Sequence, residues 1–151
     1  MILESLLAYA HLLAILTMVV FVASEAALCR PEWLNAAALH RLGRVDLVYG
    51  IAAVAVLATG AARVFWGVKG SGFYATNWLL HLKFTAFVVV GLLSIRPTLT
   101  IRRWIKAEKA GAGLPAGDAV RRTRRQIMVQ AHLIALIPLA AVFLARGYGG
   151  R

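Results

Sequence analysis

The stretch Asn77–Arg96, NWLLHLKFTAFVVVGLLSIR, decides the fold. It carries no charged residue from Phe84 to Ile95, and with its flank it reaches the ~20 residues that take a helix across ~30 Å of hydrocarbon. Comparable apolar runs lie at 3–28, 45–66 and 127–145, and the 77–96 run makes the fourth. With 61% of its 151 residues hydrophobic and gathered in this way, the chain reads as all-α. The expected architecture is a transmembrane four-helix bundle forming one integral membrane domain over 1–151. The first run has Glu4 and no Lys or Arg in its leader, so it is expected to be a retained span and not a cleaved signal peptide.

Charge orients the bundle. Of 17 Lys and Arg, three lie in the first connection (Arg30, Arg41, Arg44) and nine in or beside the third, between Arg96 and Arg125. The second connection and the tail hold three, Lys69, Arg146 and Arg151. Twelve against three places both termini outside, on the periplasmic side, and both basic connections in the cytoplasm. The location implied is the bacterial inner (cytoplasmic) membrane, with a multi-pass topology. The net charge of +11 is thus a topology signal with contact to anionic membrane lipid, and no nucleic-acid partner is expected.

The connections have their own signals. Arg30-Pro31 stops the first helix and Asn35 is a competent N-cap, so a short cytoplasmic interfacial helix is expected to lead into the second span. The second connection, GVKGSGFYATN, reads as a tight outer turn with Phe73-Tyr74 as interfacial anchor. The third begins as a basic helical extension around Trp104, loosens at GAGLPAG and re-enters helix behind Asp118 as N-cap. The single cysteine, Cys29, excludes an intrachain disulfide and a Cys-x-x-Cys site, and reads as packing. The run GIAAVAVLATGAA permits close helix contact within one bundle or between copies, that is, a homo-oligomer. No phosphate loop, His-Glu-x-x-His or Ser/His/Asp arrangement is present.

Polar residues inside apolar spans mark function or helix glue, because each costs about 2.5–3.5 kcal/mol to insert. Glu4, His11, Met18 and Glu25 recur every seven residues, a spacing that drifts only ~20° per step, so they form one stripe and imply one buried seam. Glu4 and Glu25, at its two ends, read as interfacial. His11 sits ~12 Å below the outer end and His81 ~6 Å into the third span, both in the outer half. Two readings of His11 stay open: a hydrogen bond across helices, or a ligand to a metal or haem iron. His132, in the inner half, is an alternative ligand. His40 reads as a solvated surface residue. Lys83 lies ~200° from His81 around the helix, and it either snorkels to the headgroups or meets an acidic group of a cofactor or substrate. Arg63 shares a face with Thr59 and Trp66, as either an interfacial anchor or a fork onto a carboxylate. His81 shares the more polar face of its helix with Asn77.

The segments LLAYAHLLAILTMV, ATGAARVFWG and NWLLHLKFTAFVVVGLLSI together resemble a family of uncharacterised bacterial four-span membrane proteins over essentially the whole chain. More distantly they resemble the HemJ-type protoporphyrinogen IX oxidases and the CopD-like membrane proteins. The HemJ-type likeness implies a haem b cofactor and removal of electrons and protons from a tetrapyrrole, with quinone as acceptor. It implies roles for His11, Arg63 and Lys83, with His81 as the histidine of the His-x-Lys pair. The chain lacks the Tyr-Leu-Pro-Arg segment and the further third-span histidine of that group.

The expected function is therefore a haem-b membrane oxidoreductase. His11 and His81 are its candidate axial ligands, Arg63, Trp66 and Asn77 line the cofactor, and Lys83 and Arg63 act on the substrate. Alternatives are a cytochrome b-type superoxide/quinone oxidoreductase, and a non-enzymatic copper- or zinc-binding or transport protein.

Overall fold

The computed structural model describes residues 2–66 and 78–146. They form four helices, α1 (Ile2–Leu28), α2 (Ala36–Trp66), α3 (Trp78–Lys109) and α4 (Gly117–Ala145), with no strand among the described residues. The second connection as read from the sequence, including Phe73, Tyr74 and Asn77, lies outside the described residues.

Each helix packs on two others: α1 on α2, α2 on α3, α3 on α4, and α4 back on α1. Their register follows from side-chain pairs. His11 bonds Thr59 and Glu25 lies in Coulombic reach of Asp46, so α1 and α2 run in opposite directions. His40 meets Glu108 while Asp46 meets Thr98, and Ala26 meets Arg124 while Cys29 meets Val120, which makes α2–α3 and α1–α4 antiparallel too. The start of α1 and the end of α4 therefore share one end, and the connections 29–35 and 110–116 share the other, here the loop end.

Among the described residues, Ile2–Leu28, Ala36–Phe65 and Phe84–Lys109 are long and apolar enough to cross a membrane. In their most apolar windows only 17%, 22% and 17% is buried, so most of this apolar surface points away from the other helices. Leu6, Leu16, Ile51, Val54 and Leu92 are all exposed. Water would leave that surface unpaid, whereas hydrocarbon covers it at no cost. The inward faces carry Met18, Val22, Leu42, Ile101 and Ile127, all buried. In α4 the sequence changes character along the helix, with Arg121, Arg122, Arg124 and Arg125 near the start and an apolar second half.

Helix boundaries agree with the sequence at α1, at the start and end of α2 and at the end of α4. Asn35 does cap α2: its Oδ1 accepts the Ala38 N–H at 2.8 Å and its carbonyl accepts the Leu39 N–H at 2.8 Å. The short helix expected to lead into the second span is not a fifth element but the first turns of α2, which is continuous from Ala36 to Trp66. Gly43 does not break it. That glycine is where α2 meets α3, and a Cβ there would run into the side chain of Ile105. α3 runs past Arg96 and through Pro97 to Lys109, so the basic helical extension expected around Trp104 is its continuation. Asp118 is not the N-cap of α4 but lies in its first turn, while the Ala116 carbonyl accepts the Ala119 and Val120 N–H groups. Asp118 instead pairs with Arg121, whose guanidinium holds the carboxyl below its usual range.

The loop end is fastened through the end of α1. A helix terminus leaves carbonyls without partners, and α1 has no basic residue of its own in its last turn. Arg124 of α4 supplies one by donating Nε–H to the Ala26 carbonyl at 3.1 Å, a cation at the negative end of the helix dipole. Cys29 follows at once, fully buried, with Sγ 3.8 Å from the Val120 carbonyl. Burial, and to a lesser extent the neighbouring Glu25, push its thiol up to about 12. Since the thiolate is the nucleophile, alkylation of Cys29 in the folded protein at pH 8 is expected to be roughly a thousandfold slower than that of a free cysteine. Mass-spectrometric labelling before and after denaturation checks this, and equal rates in the two states would contradict the packing.

Candidate functional site

Two polar groupings occupy the inside of the helices. The first is at His11. Its Nδ1 lies 2.8 Å from Thr59 Oγ1, which itself donates to the Ala55 carbonyl at 2.6 Å. The hydroxyl proton being spent on Ala55, Thr59 accepts from His11, so Nδ1 carries the ring proton and the lone pair sits on Nε2. The ring lies against Gly60, where an added Cβ would come within 3.3 Å of His11 Cε1. The Thr59 hydroxyl and the adjacent Gly60 on α2 thus hold the half-buried imidazole in one orientation.

The other expected members are distributed as follows. His81 is exposed in the first turns of α3, and α3 stands across from α1 without packing closely on it. Arg63 is half-buried in the last turn of α2 and forms no ion pair among the described residues. Lys83 and Trp66 belong to α3 and α2, but their side chains, like the whole of Asn77, lie outside the described residues. His132 is exposed and donates Nδ1–H to the carbonyl of Met128 on its own helix at 2.6 Å, so it is not drawn toward His11. His40 is not simply solvated: its Nε2 sits 2.9 Å from Glu108 Oε2 and ties α2 to α3. Among the described residues no group of three or more His, Cys, Asp or Glu gathers in one place.

The second grouping, which the sequence reading missed, lies in the loop half and draws on all four helices. Glu25 of α1 is 2% exposed, buried where an interfacial position was expected. Asp46 of α2 is 4% exposed and accepts the Thr98 hydroxyl of α3 at 2.6 Å. Arg102, one turn beyond Thr98, acts on the same carboxylate. Tyr49 of α2 reaches Gln130 Oε1 of α4 at 3.5 Å and also lies in hydrogen-bond reach of Ser94. The Glu25 carboxyl makes no side-chain hydrogen bond among the described residues and lies in Coulombic reach of Asp46. The signal was available, since Asp46 and Gln130 fall inside two of the apolar runs. Their partners were not, because spacing along one helix does not say what stands opposite.

Gln130 explains how α3 survives Pro97. Proline has no N–H, so the carbonyl four residues earlier, Leu93, loses its helical donor. Gln130 Nε2 donates to the Leu93 carbonyl at 3.3 Å, restoring the missing bond from α4. Gln130 is 1% exposed, and Pro97 is among the most completely buried side chains.

Compared with known proteins, residues 3–149 match the model of a family described as predicted membrane protein (DUF2214), and the chain belongs to that family. No curated protein and no solved structure matches it. The likeness to HemJ-type oxidases and CopD-like proteins gains no support from these comparisons.

The Pro97–Gln130 relation is open to a double-mutant cycle. Gln130→Leu leaves the Leu93 carbonyl bare and is expected to cost about 1–3 kcal/mol. In a Pro97→Ala background, where the helix supplies its own N–H, the same substitution should cost clearly less. Equal losses in both backgrounds, measured by unfolding in detergent, would show that Gln130 does not serve that carbonyl.

Proposed function

Starting from a DUF2214 membrane protein, we propose a four-span protein of the bacterial inner membrane, with both termini outside, that binds haem b and acts as an oxidoreductase. The topology rests on the bias of basic residues: the antiparallel register gathers the connections 29–35 and 110–116 at one end, and that end carries most of the cations. The redox reading rests on one observation, the Thr59-fixed tautomer of His11. An imidazole ligates through an unprotonated nitrogen, and donation from the other nitrogen to a fixed acceptor is what orients such rings. His11 meets both conditions within an apolar setting.

In this reading His11 would hold the iron and His81 would be the candidate second donor. Arg63, half-buried at the same end, suits a propionate, because a guanidinium forks onto a carboxylate. Haem supplies one-electron chemistry whose potential depends on axial ligand and surroundings. The chain's own contribution is to orient the imidazole through Thr59, keep water out with the apolar seam around Met18 and Val22, and offer cations to an anionic donor. That donor is a tetrapyrrole or superoxide, and the acceptor is quinone.

A second reading is favoured by Glu25 and Asp46. Two buried carboxyls, one of them without a hydrogen bond among the described residues, suit the binding or passage of a proton or metal cation with no redox cofactor.

One spectrum separates the two. Protein purified from haem-replete cells should give a Soret band and a dithionite-reduced b-type spectrum, absent in His11→Ala. Thr59→Val, which removes the acceptor of Nδ1–H, should weaken haem retention by about 10–100-fold. Colourless wild-type protein would overturn the redox reading. Proton or cation uptake abolished by Glu25→Gln in such colourless protein would establish the second.

A further inference from the structure

The outer surface where α3 meets α4 carries a half-open groove of about 510 Å³ that neither reading above uses. Its lining is Leu92, Leu93 and Arg96 from α3, and Arg125, Gln126 and Val129 from α4. The arrangement is graded. Toward the loop end stand the two arginines, and one turn further from it, ~6 Å along each helix axis, stand Leu92 and Val129. The antiparallel register makes the gradient run the same way on both helices. Arg96 and Arg125 are exposed, and neither forms an ion pair among the described residues.

We propose that this groove binds an anionic phospholipid, its phosphate between Arg96 and Arg125 and one acyl chain along Leu92, Leu93 and Val129. Charge complementarity selects the head: guanidinium groups hold phosphate oxygens through paired, charge-assisted hydrogen bonds. The apolar wall selects the rest. A free anion would leave Leu92 and Val129 uncovered, and a zwitterionic lipid would bring a cation up to two arginines. Basic pockets between membrane helices on the side of the basic connections are where anionic headgroups are held. The paired arginines therefore mark the headgroup level, and the chain between them, residues 97–124, projects beyond it.

The full chain, reconstituted in vesicles of one part phosphatidylglycerol to nine parts phosphatidylcholine, is re-extracted in mild detergent and its retained lipid quantified by mass spectrometry. Wild-type protein should retain phosphatidylglycerol at least threefold above its share of the mixture. Arg96→Gln/Arg125→Gln should retain it at its share, while Arg103→Gln/Lys109→Gln, an exposed pair at the same end, should behave as wild type. Leu92→Asn/Val129→Asn, which keeps both cations, should also lose the enrichment. A helical circular-dichroism spectrum accompanies each variant, and only folded variants count. Should a pair fail to fold, wild-type retention measured against added inorganic phosphate decides alone. The proposal fails if the control pair loses as much as the groove pair, which indicates general surface charge. It also fails if the apolar variant keeps the enrichment or millimolar inorganic phosphate displaces the lipid, either of which indicates an anion site only.

Discussion

A backbone carbonyl left without a donor inside hydrocarbon costs several kcal/mol, and Pro97 creates such a carbonyl at Leu93. Its compensation comes from another helix. Gln130 of α4 donates to that oxygen and accepts from Tyr49 of α2, so one buried amide connects three helices at a single level. This ties the course of α3 to the position of α4. Although α4 starts with a cluster of arginines, its Gln130 has to lie beside the apolar part of α3 for α3 to remain helical through the proline.

Around that level the other polar groups of the loop half are arranged by the same rule. Asp46 takes the Thr98 hydroxyl, Arg124 closes the last turn of α1, and His40 joins Glu108 farther toward the loop end. Each bond joins different helices. Glu25 stands apart, since it is more deeply buried than any of these and draws on no such bond among the described residues. A carboxyl of that kind contributes little to folding. Its burial without such a bond is the specific reason that ion handling stands beside haem as a proposal.

Much of the architecture was legible beforehand. The length of the apolar runs gave the helices, Asn35 gave the start of α2, and the seven-residue recurrence of His11, Met18 and Glu25 gave the inward face of α1, where Met18 and Glu25 prove buried. The part of Gln130 at Pro97 was not legible, because a proline's effect depends on whether a distant residue can serve the carbonyl it frees, and nothing near Pro97 in sequence names Gln130. Asp118 was misread for a more local reason, since its side chain is taken by Arg121 in place of a backbone N–H. At the candidate site, His11 was legible as a polar residue on an inward stripe. Thr59 was read only as sharing a face with Arg63 and Trp66 and not as the acceptor of His11, because that contact depends on the crossing of α1 and α2 at Gly60.

The position of α4 is where the proposed architecture is most exposed to test. In a Cys29→Ala background, single cysteines at Ala112 and at Gly149 can be probed with a membrane-impermeant maleimide on cells whose outer membrane has been opened. Four crossing helices with external termini require Gly149→Cys to label at once and Ala112→Cys to label only after lysis. Labelling of both from the same side would mean that α4 does not cross, and the shared polar level built on Gln130 would then have no membrane around it.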